Sequence, residues 1–205
     1  MKIAPQGFRY IAASLVLAAA AFLIAPLRWL AWVFLALGAF VAFFFRDPTR
    51  VPPADPKLLV SPADGKVVEV GPSPEDPSRQ QVSIFLSIFD VHINRSPLAA
   101  VVEKVRYTPG EFLAAYRKEA AMRNERNELE LRDGDFLVTV RQIAGVVARR
   151  IVCAVSESDR LERGQKFGLI QFGSRTEVVL PGDTVLLIRV GERVRGGETA
   201  IGRRP

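Results

Sequence analysis

The stretch Lys166-Phe-Gly-Leu-Ile-Gln-Phe-Gly-Ser-Arg-Thr-Glu-Val-Val-Leu-Pro181 decides the fold of this chain. It contains two short apolar runs, 169–172 and 176–180, whose length and composition are typical of β-strands. A Gly-Ser pair stands between them, where a break in regular structure is expected. The sequence therefore predicts two strands that meet at Gly173-Ser174.

The same alternation of apolar runs and turn residues extends from residue 58 to the C-terminus. Gly, Pro, Asp or Ser separates the runs, as in Asp133-Gly134 and Pro181-Gly-Asp183. One segment differs, because 111–123 carries apolar residues at helical spacing after Pro109-Gly110. The chain is predicted to be mainly β with one short helix. The predicted strands are 66–70, 82–86, 101–107, 129–131, 136–142, 150–155, 169–172, 176–180 and 185–190.

The Gly173-Ser174 pair also has the chemistry of a self-cleavage site. The Ser174 hydroxyl can attack the carbonyl of Gly173, which has no side chain to hinder the approach. The resulting ester can eliminate to dehydroalanine, which hydrolyses to a pyruvoyl group and releases ammonia. Such a carbonyl forms a Schiff base with a substrate amine and then accepts electrons. An ordinary turn is the alternative interpretation of a Gly-Ser pair.

The first 45 residues have the composition of a membrane anchor. Two apolar stretches, 11–27 and 29–45, are separated only around Arg28. Each has about 17 residues, roughly the minimum for a membrane-spanning helix. Neither has a polar face at helical spacing, as a surface helix of a soluble domain would.

Three interpretations of this anchor stay open. In the first, a helical hairpin crosses the bilayer and keeps both basic flanks, Lys2 and Arg9 before it and Arg46 and Arg50 after it, in the cytoplasm. In the second, the hairpin enters one leaflet only. In the third, the chain from Lys2 to about residue 21 is a signal peptide followed by an anchor.

The charge and the cysteine content restrict the partners. The net charge of +6 favours an anionic membrane as a partner, because the chain carries an apolar anchor. Nucleic acid is not expected, since no basic stripe is interleaved with stacking aromatic residues. The single cysteine, Cys153, permits no internal disulfide, and we assign it no role.

Five segments together resemble one enzyme family. The segment 163–175, Arg-Gly-Gln-Lys-Phe-Gly-Leu-Ile-Gln-Phe-Gly-Ser-Arg, closely resembles the cleavage segment of the short, bacterial-type phosphatidylserine decarboxylases. The other matching segments follow the family's order from about residue 40 to the end. They are Phe45-Arg-Asp-Pro48, Ser61-Pro-Ala-Asp-Gly65, Phe89-Asp-Val-His-Ile-Asn-Arg-Ser-Pro97 and Asn124-Glu-Arg-Asn127.

This resemblance implies the identity of the reacting residues. Ser174 would become the pyruvoyl group after cleavage from Gly173. No metal is expected, because the only histidine and the only cysteine are far apart in the sequence and form no ligand cluster. Asp64 occupies the position of the aspartate in the family's Asp-His-Ser set for self-cleavage. His92 is the only histidine in the sequence. It follows a predicted strand and precedes a turn, where reactive groups often project.

The chain departs from the family pattern beside His92. Long-form members carry two histidines three residues apart, and Arg95 falls on the position of the second. The second histidine is usually given the self-cleavage role. Either His92 serves both as the base for self-cleavage and as the acid that reprotonates the substrate carbon, or cleavage relies on strain at Gly173 together with Asp64. Gln171 is a smaller departure, since a basic residue is common there.

Basic residues are candidates for binding the phosphate or the serine carboxylate of the lipid, because arginine offers a planar fork of donors. A solvated surface charge is the alternative interpretation for each of them. The candidates are Arg95, Arg126, Arg163, Lys166 and Arg175.

The fold expected from these observations has three parts. Residues 1–45 are predicted to form the membrane-anchoring helical hairpin, 46–57 a linker and 58–205 the β-rich catalytic domain, cut into a large and a small chain at 173/174. Two segments, 61–68 and 181–202, are similar to the half-sandwiches of biotinyl and lipoyl carriers. We therefore expect a β-sandwich-like domain with a carrier-domain-like hybrid motif.

The expected activity is decarboxylation of phosphatidylserine to phosphatidylethanolamine at the cell membrane, with the catalytic domain on the cytoplasmic side. The oligomeric state stays open, a homo-oligomer included. One alternative is a pyruvoyl decarboxylase of another headgroup or of a free amino acid, although a soluble substrate gives no reason for an anchor. The other is a non-catalytic, carrier-like membrane adaptor.

Overall fold

The computed structural model describes residues 2–113, 123–145, 150–171 and 174–205. The chain divides into two compact units, Met1–Thr49 and Arg50–Pro205.

The N-terminal unit is a helical hairpin. Helix α1 spans Pro5–Leu23, a 3₁₀ turn spans Ala25–Leu27, and helix α2 spans Arg28–Phe44. Strand β1, Lys2–Ile3, pairs antiparallel with strand β2, Arg46–Asp47, and closes the open end of the hairpin.

Small residues bring the two helices close together. Ser14 and Ala18 of α1 and Ala31 and Gly38 of α2 are all buried. A Cβ atom added to Gly38 would lie 3.3 Å from the Ser14 Cβ, so a larger residue there would force the helices apart. Such small-residue contacts are typical of helix pairs in membranes.

The outer faces of the same helices are apolar and exposed. Leu23 is 83% exposed and Trp32 is 73% exposed. Both helical segments, Pro5–Leu23 and Ala25–Phe44, are long and apolar enough to cross a membrane. The hairpin is therefore compatible with membrane association.

The second unit is built from antiparallel strands. They are β3 (Leu58–Val60), β4 (Gly65–Pro72), β5 (Gln80–Leu86), β6 (Ile93–Arg95), β7 (Ala100–Thr108), β8 (Arg126–Asp133), β9 (Phe136–Ile143), β10 (Ile151–Cys153), β11 (Arg160–Leu161), β12 (Lys166–Ile170), β13 (Ser174–Leu180), β14 (Val185–Leu186), β15 (Arg193–Val194) and β16 (Ala200–Arg203).

These strands form one large sheet and two small ones. The large sheet has the order β11-β7-β8-β9-β13-β5-β4-β15. The small sheets have the orders β10-β12-β6 and β14-β16-β3. Strand β13 is central in the large sheet, because β5 pairs with one of its edges and β9 with the other.

The hydrophobic core lies on one face of the large sheet, here called the inner face. Val178 of β13, Val140 of β9 and Val82 of β5 point into it and are fully buried. Residues of the small sheets, including Phe167 of β12 and Ile201 of β16, belong to the same cluster. Burial of these side chains by all three sheets gives the unit a single core.

The predicted fold class is confirmed. The chain has an apolar helical pair followed by a mainly β unit, and each of the nine predicted strands overlaps an observed one. The other strands of this unit have only two to four residues, too few for alternation to indicate them: β3, β6, β11, β15 and β16. Most of the predicted helix at 111–123 lies outside the described residues.

The opposite, outer face of the large sheet carries buried ion pairs. The Arg175 Nε lies 2.8 Å from a Glu177 carboxylate oxygen, and both side chains are almost fully buried. Arg141 lies 2.8 Å from Glu128 and 3.7 Å from Glu177, and it also contacts Glu75. Burial by itself lowers the pKa of Arg141, but the facing carboxylates of Glu75 and Glu128 outweigh it and raise the pKa.

Replacement of Glu177 by Gln is expected to destabilise the protein strongly. The change leaves the buried Arg175 charge with only the partly exposed Glu69 as an ionic partner among the described residues, and loss of one partner of a buried pair typically costs about 3 kcal/mol or more. Glu103→Gln is the control, because its pair with Arg132 is 41% exposed on both sides and should contribute under about 1 kcal/mol. Thermal unfolding in detergent measures both variants. Equal shifts would contradict the structural importance of the Glu177 pairs.

Candidate active site

Ser174 is the first residue of the central strand β13, where it lies opposite Leu86 of β5. Because side chains alternate along a strand, Ser174 shares the inner face with Thr176 and Val178. Its side chain is fully buried, and its Oγ has no hydrogen-bond partner among the described residues. An unpaired buried hydroxyl costs about 1–3 kcal/mol, so this one requires an explanation. The neighbouring Gly173 lies outside the described residues.

His92 lies between β5 and β6 and is 3% exposed. Its ring Nδ1 is 2.9 Å from the carbonyl oxygen of Asp90. Since a carbonyl oxygen only accepts hydrogen bonds, Nδ1 must carry the proton. In the neutral ring Nε2 then holds the lone pair, which makes it the nitrogen able to accept a proton.

Backbone hydrogen bonds and strand pairing bring the chain segments around His92 and Ser174 together. The Ile170 N–H donates to the His92 carbonyl at 3.1 Å. β12 ends at Ile170, and β13 begins at Ser174. The links β5–β6 and β12–β13 therefore both connect a small sheet to the large one, and β5 pairs with β13 just as β6 pairs with β12. His92 directly precedes β6, and Ser174 is the first residue of β13.

The Asp90 carboxylate is engaged elsewhere. It accepts from the Ser87 N–H and hydroxyl and from the exposed Arg193. Asp90 lies in the turn before β6. It contacts the His92 ring through its backbone carbonyl.

Asp64 is anchored immediately before β4. One of its carboxylate oxygens accepts the Gly196 N–H at 2.8 Å, and the other lies 2.7 Å from the Arg50 guanidinium. Gly65 follows at a φ of +152°, where a Cβ would lie 2.3 Å from the Phe85 carbonyl oxygen, so only glycine fits. Lys66 and Arg175 both pair with Phe85, from opposite sides of β5. Ordinary strand spacing therefore puts Lys66 about 10 Å from Arg175, so Asp64 and Ser174 lie near the same end of these strands.

The structure gathers three of the five candidate basic residues around one open cleft of about 600 Å³. Arg95, Arg163 and Lys166 line this basic cleft together with Arg50. The Arg163 guanidinium donates to backbone carbonyls, among them that of Leu58 at 2.9 Å. Arg95 donates to the Gly164 carbonyl at 3.0 Å.

The other two basic candidates lie apart from the basic cleft. Arg175 points to the outer face of the large sheet, opposite to Ser174, and pairs there with Glu69 and Glu177. Arg126 is on the same outer face, 3.6 Å from Glu128.

A chain of buried polar side chains near Ser174 is absent from the sequence predictions. The Asn127 amide donates to Gln142 at 3.0 Å, Gln142 donates to Asn94 at 2.9 Å, and Asn94 donates to the Thr176 hydroxyl at 3.0 Å. This amide chain links the small-sheet strand β6 to three strands of the large sheet. The sequence did contain one signal for this amide chain. Asn127, Gln142 and Thr176 each lie two residues from a core residue of the same strand (Leu129, Val140 and Val178), so they share its inner face.

Arg50 is a further site residue that the sequence analysis did not predict. It appeared only as one of the basic flanks of the apolar segment. Its guanidinium bridges Asp64 and Glu198, at 2.7 and 2.9 Å, and its side chain is 9% exposed. No spacing in the sequence relates position 50 to position 198.

The chain is similar to known proteins of one enzyme family. Residues 37–202 match the phosphatidylserine decarboxylase family. A phosphatidylserine decarboxylase proenzyme of Symbiobacterium thermophilum is 48% identical over 99% of this chain and 96% of that protein. Another, of Syntrophus aciditrophicus, is 46% identical over 85% of this chain and 84% of that protein. A third, of Desulfotalea psychrophila, is 41% identical over 99% of this chain and 97% of that protein.

The family match covers most of the chain, which is sufficient to assign the chain to that family. The protein belongs to the phosphatidylserine decarboxylase family.

Replacement of Arg50 by Ala is expected to slow the self-cleavage that the family resemblance implies. Asp64 would lose its ionic anchor, and a misplaced group in a reacting site can cost about 10²-fold in rate. Arg50→Lys should restore part of the rate. Glu198→Gln is the matched control, because it removes the other partner of Arg50 and leaves Asp64 paired. The fraction of cut chain on a denaturing gel over time measures each rate. Equal slowing in Arg50→Ala and Glu198→Gln would mean that the Asp64 contact has no special role.

Proposed function

We propose that this protein decarboxylates phosphatidylserine to phosphatidylethanolamine after cutting itself between Gly173 and Ser174. One observation carries the proposal: the Ser174 hydroxyl is fully buried and has no hydrogen-bond partner among the described residues. It begins the central strand β13, whose neighbour β5 leads into the turn before the only histidine of the sequence. The membership of the family supports the same activity.

The residues present fit a pyruvoyl group derived from Ser174. The Ser174 side chain lies at the inner face of the sheet and is shielded from water. Such a group supplies a carbonyl that condenses with the substrate amine and draws electrons from the departing carboxylate. The burial excludes water, and less water strengthens the electrostatic interactions at the site.

His92 moves the protons in this proposal. Its Nδ1–H donates to the Asp90 carbonyl, so Nε2 is the nitrogen that takes the proton from the Ser174 hydroxyl and passes it to the Ser174 nitrogen as the Gly173–Ser174 amide breaks. Once protonated, Nε2 can donate a proton to the substrate carbon that has lost its carboxylate. Because the ring is fixed, the same nitrogen, Nε2, can serve both proton transfers.

Asp64 supports the cleavage step. The Gly196 N–H and the Arg50 guanidinium hold its carboxylate in one orientation. A carboxylate held in one orientation can position the groups that activate the Ser174 hydroxyl.

The basic cleft is the candidate site for the anionic parts of the substrate. Arg95, Arg163 and Lys166 all line it, whereas Arg126 and Arg175 face the other side of the large sheet beside glutamates. We therefore place the lipid phosphate or serine carboxylate near the cleft.

The protein acts at the cell membrane in this proposal. The apolar hairpin anchors it, and the positive charge favours anionic lipid. Basic residues flank both ends of the hairpin, which favours a cytoplasmic β unit. The mature enzyme would consist of residues 1–173 and a small chain that begins at residue 174.

Self-cleavage at Gly173-Ser174 is expected to give a small chain of 32 residues with a blocked N-terminus. Intact-mass analysis of the purified protein measures both products, and Edman degradation of the small chain tests the block. Ser174→Ala should remain one chain, because it lacks the nucleophile. A free serine at the start of the small chain would refute pyruvoyl formation. An uncut wild-type chain would refute the proposed function itself.

Replacement of His92 by Ala separates its two proposed tasks. If His92 serves both, the variant stays uncut. If it only donates a proton during decarboxylation, the variant is cut normally but reacts about 10²- to 10⁴-fold more slowly. We expect the uncut result, because the sequence has no other imidazole. Gel analysis and release of labelled carbon dioxide measure the two steps. Normal cleavage together with normal turnover would exclude His92 from the chemistry.

A further inference from the structure

The turn between β5 and β6 exposes two neighbouring apolar side chains close to the candidate active site. Phe89 is 64% exposed and Ile88 is 39% exposed. Phe89 precedes His92 by only three residues. Single exposed apolar side chains are normal on protein surfaces, but an adjacent pair at the tip of a tight turn beside a reacting residue is a candidate contact surface.

Internal hydrogen bonds hold this turn, residues 87–90, in shape. The Asp90 N–H donates to the Ser87 carbonyl at 2.9 Å. The Ser87 N–H and hydroxyl both donate to one oxygen of the Asp90 carboxylate, at 2.9 and 2.6 Å. The Asp90 carbonyl accepts from the His92 ring. These polar groups have partners within the protein, and groups entering an apolar medium need such partners.

Cationic side chains lie at the base of the turn. The Arg193 guanidinium is 3.0 Å from the second Asp90 carboxylate oxygen, and its side chain remains 71% exposed. Arg193 pairs in register with Lys66, which is also exposed. Long basic side chains beside an apolar tip can place their charges at anionic headgroups while their stems contact apolar surface.

We propose that this turn docks into an anionic lipid surface. Phe89 and Ile88 enter the boundary between headgroups and acyl chains, and Arg193 and Lys66 contact anionic headgroups. An exposed apolar tip with cations behind it matches the chemistry of that surface.

The inference rests on the proposed function, because it assigns the turn the task of holding His92 at the depth of the lipid headgroup. Since His92 binds the Asp90 carbonyl, the docked turn and the reacting ring would move as one piece. A lipid headgroup could then reach the site while its acyl chains stay in the bilayer.

Fluorescence quenching of the full chain in vesicles tests the docking directly. The reporter is Phe89→Trp in a Trp29→Phe/Trp32→Phe background, which removes both native tryptophans. Tyr107→Trp in the same background is the matched control, because Tyr107 is 58% exposed on β7. The vesicles contain phosphatidylcholine and phosphatidylglycerol, an anionic lipid that is not the substrate, with bromine on the acyl chains.

The Phe89→Trp signal should be quenched by the brominated lipid and protected from acrylamide in the water. The Tyr107→Trp signal should show the reverse. Vesicles of phosphatidylcholine alone should quench the Phe89→Trp signal less, because they offer no anionic headgroups. Equal acrylamide quenching of both reporters, without an effect of bromine, would overturn the inference.

Kinetics with two substrates give an independent readout. Phe89→Ser should raise the apparent KM for phosphatidylserine in vesicles about tenfold or more, because an inserted aromatic side chain is lost. Its turnover of short-chain, soluble phosphatidylserine and its self-cleavage should match the wild type. Phe89→Leu should restore most of the vesicle activity, and Tyr107→Ser should change neither substrate.

Other outcomes would count against the lipid surface. Equal losses on both substrates would give Phe89 a structural role and overturn the inference. A change of oligomeric state in Phe89→Ser, measured by sedimentation in detergent, would make the turn a protein interface and overturn it as well. Self-cleavage and turnover of soluble substrate by the wild type test the proposed function separately.

Discussion

The antiparallel pairing of β13 with both β5 and β9 is the constraint on which the rest of the β unit depends. It places Ser174 opposite Leu86 on the inner face and Arg175 opposite Phe85 on the outer face. A shift by one residue would exchange these faces, because side chains alternate along a strand. The buried guanidinium would then enter the hydrophobic core, and the serine hydroxyl would lie among ion pairs. The free energy of core packing thus also sets the direction of the reacting side chain.

Buried polar groups on both faces of the large sheet reinforce this register. On the outer face, Arg175 and Glu177 of the same strand pair with each other and with neighbouring strands. On the inner face, the amide chain that ends on Thr176 connects β6 to the sheet. Networks of this kind stabilise a fold when their members are satisfied and are costly when they are not. The Ser174 hydroxyl, two residues from Thr176, is buried without a hydrogen-bond partner among the described residues, as expected for a functional group.

Two parts of the protein expose apolar side chains while satisfying their polar groups internally. The hairpin does so through helical hydrogen bonds, with small residues such as Gly38 at the helix contact and tryptophans outside. The turn at 87–90 does so through the Asp90 carboxylate and the Ser87 hydroxyl. Both are suited to an apolar environment for the same physical reason. They differ in scale, since the hairpin has the length of a bilayer and the turn has two apolar side chains.

The sequence by itself determined the local features of this protein. The length and composition of the apolar stretches indicated the helical pair, and alternation indicated the longer strands. The order of the motifs brought forward Ser174, His92 and Asp64 as candidates. The helices and longer strands depend on residues near each other in the chain, so composition and spacing indicate them. The candidate residues followed from short local motifs and their resemblance to a known family.

Only the tertiary structure decided which distant residues meet. It paired Asp64 with Arg50 and Gly196, turned Arg175 away from Ser174, and joined Asn94 to Gln142 and Thr176. Alternation along a strand defines two faces but does not state which face is inner or which strand lies alongside. Strand register and sheet order settle both, because they follow from the packing of the whole core.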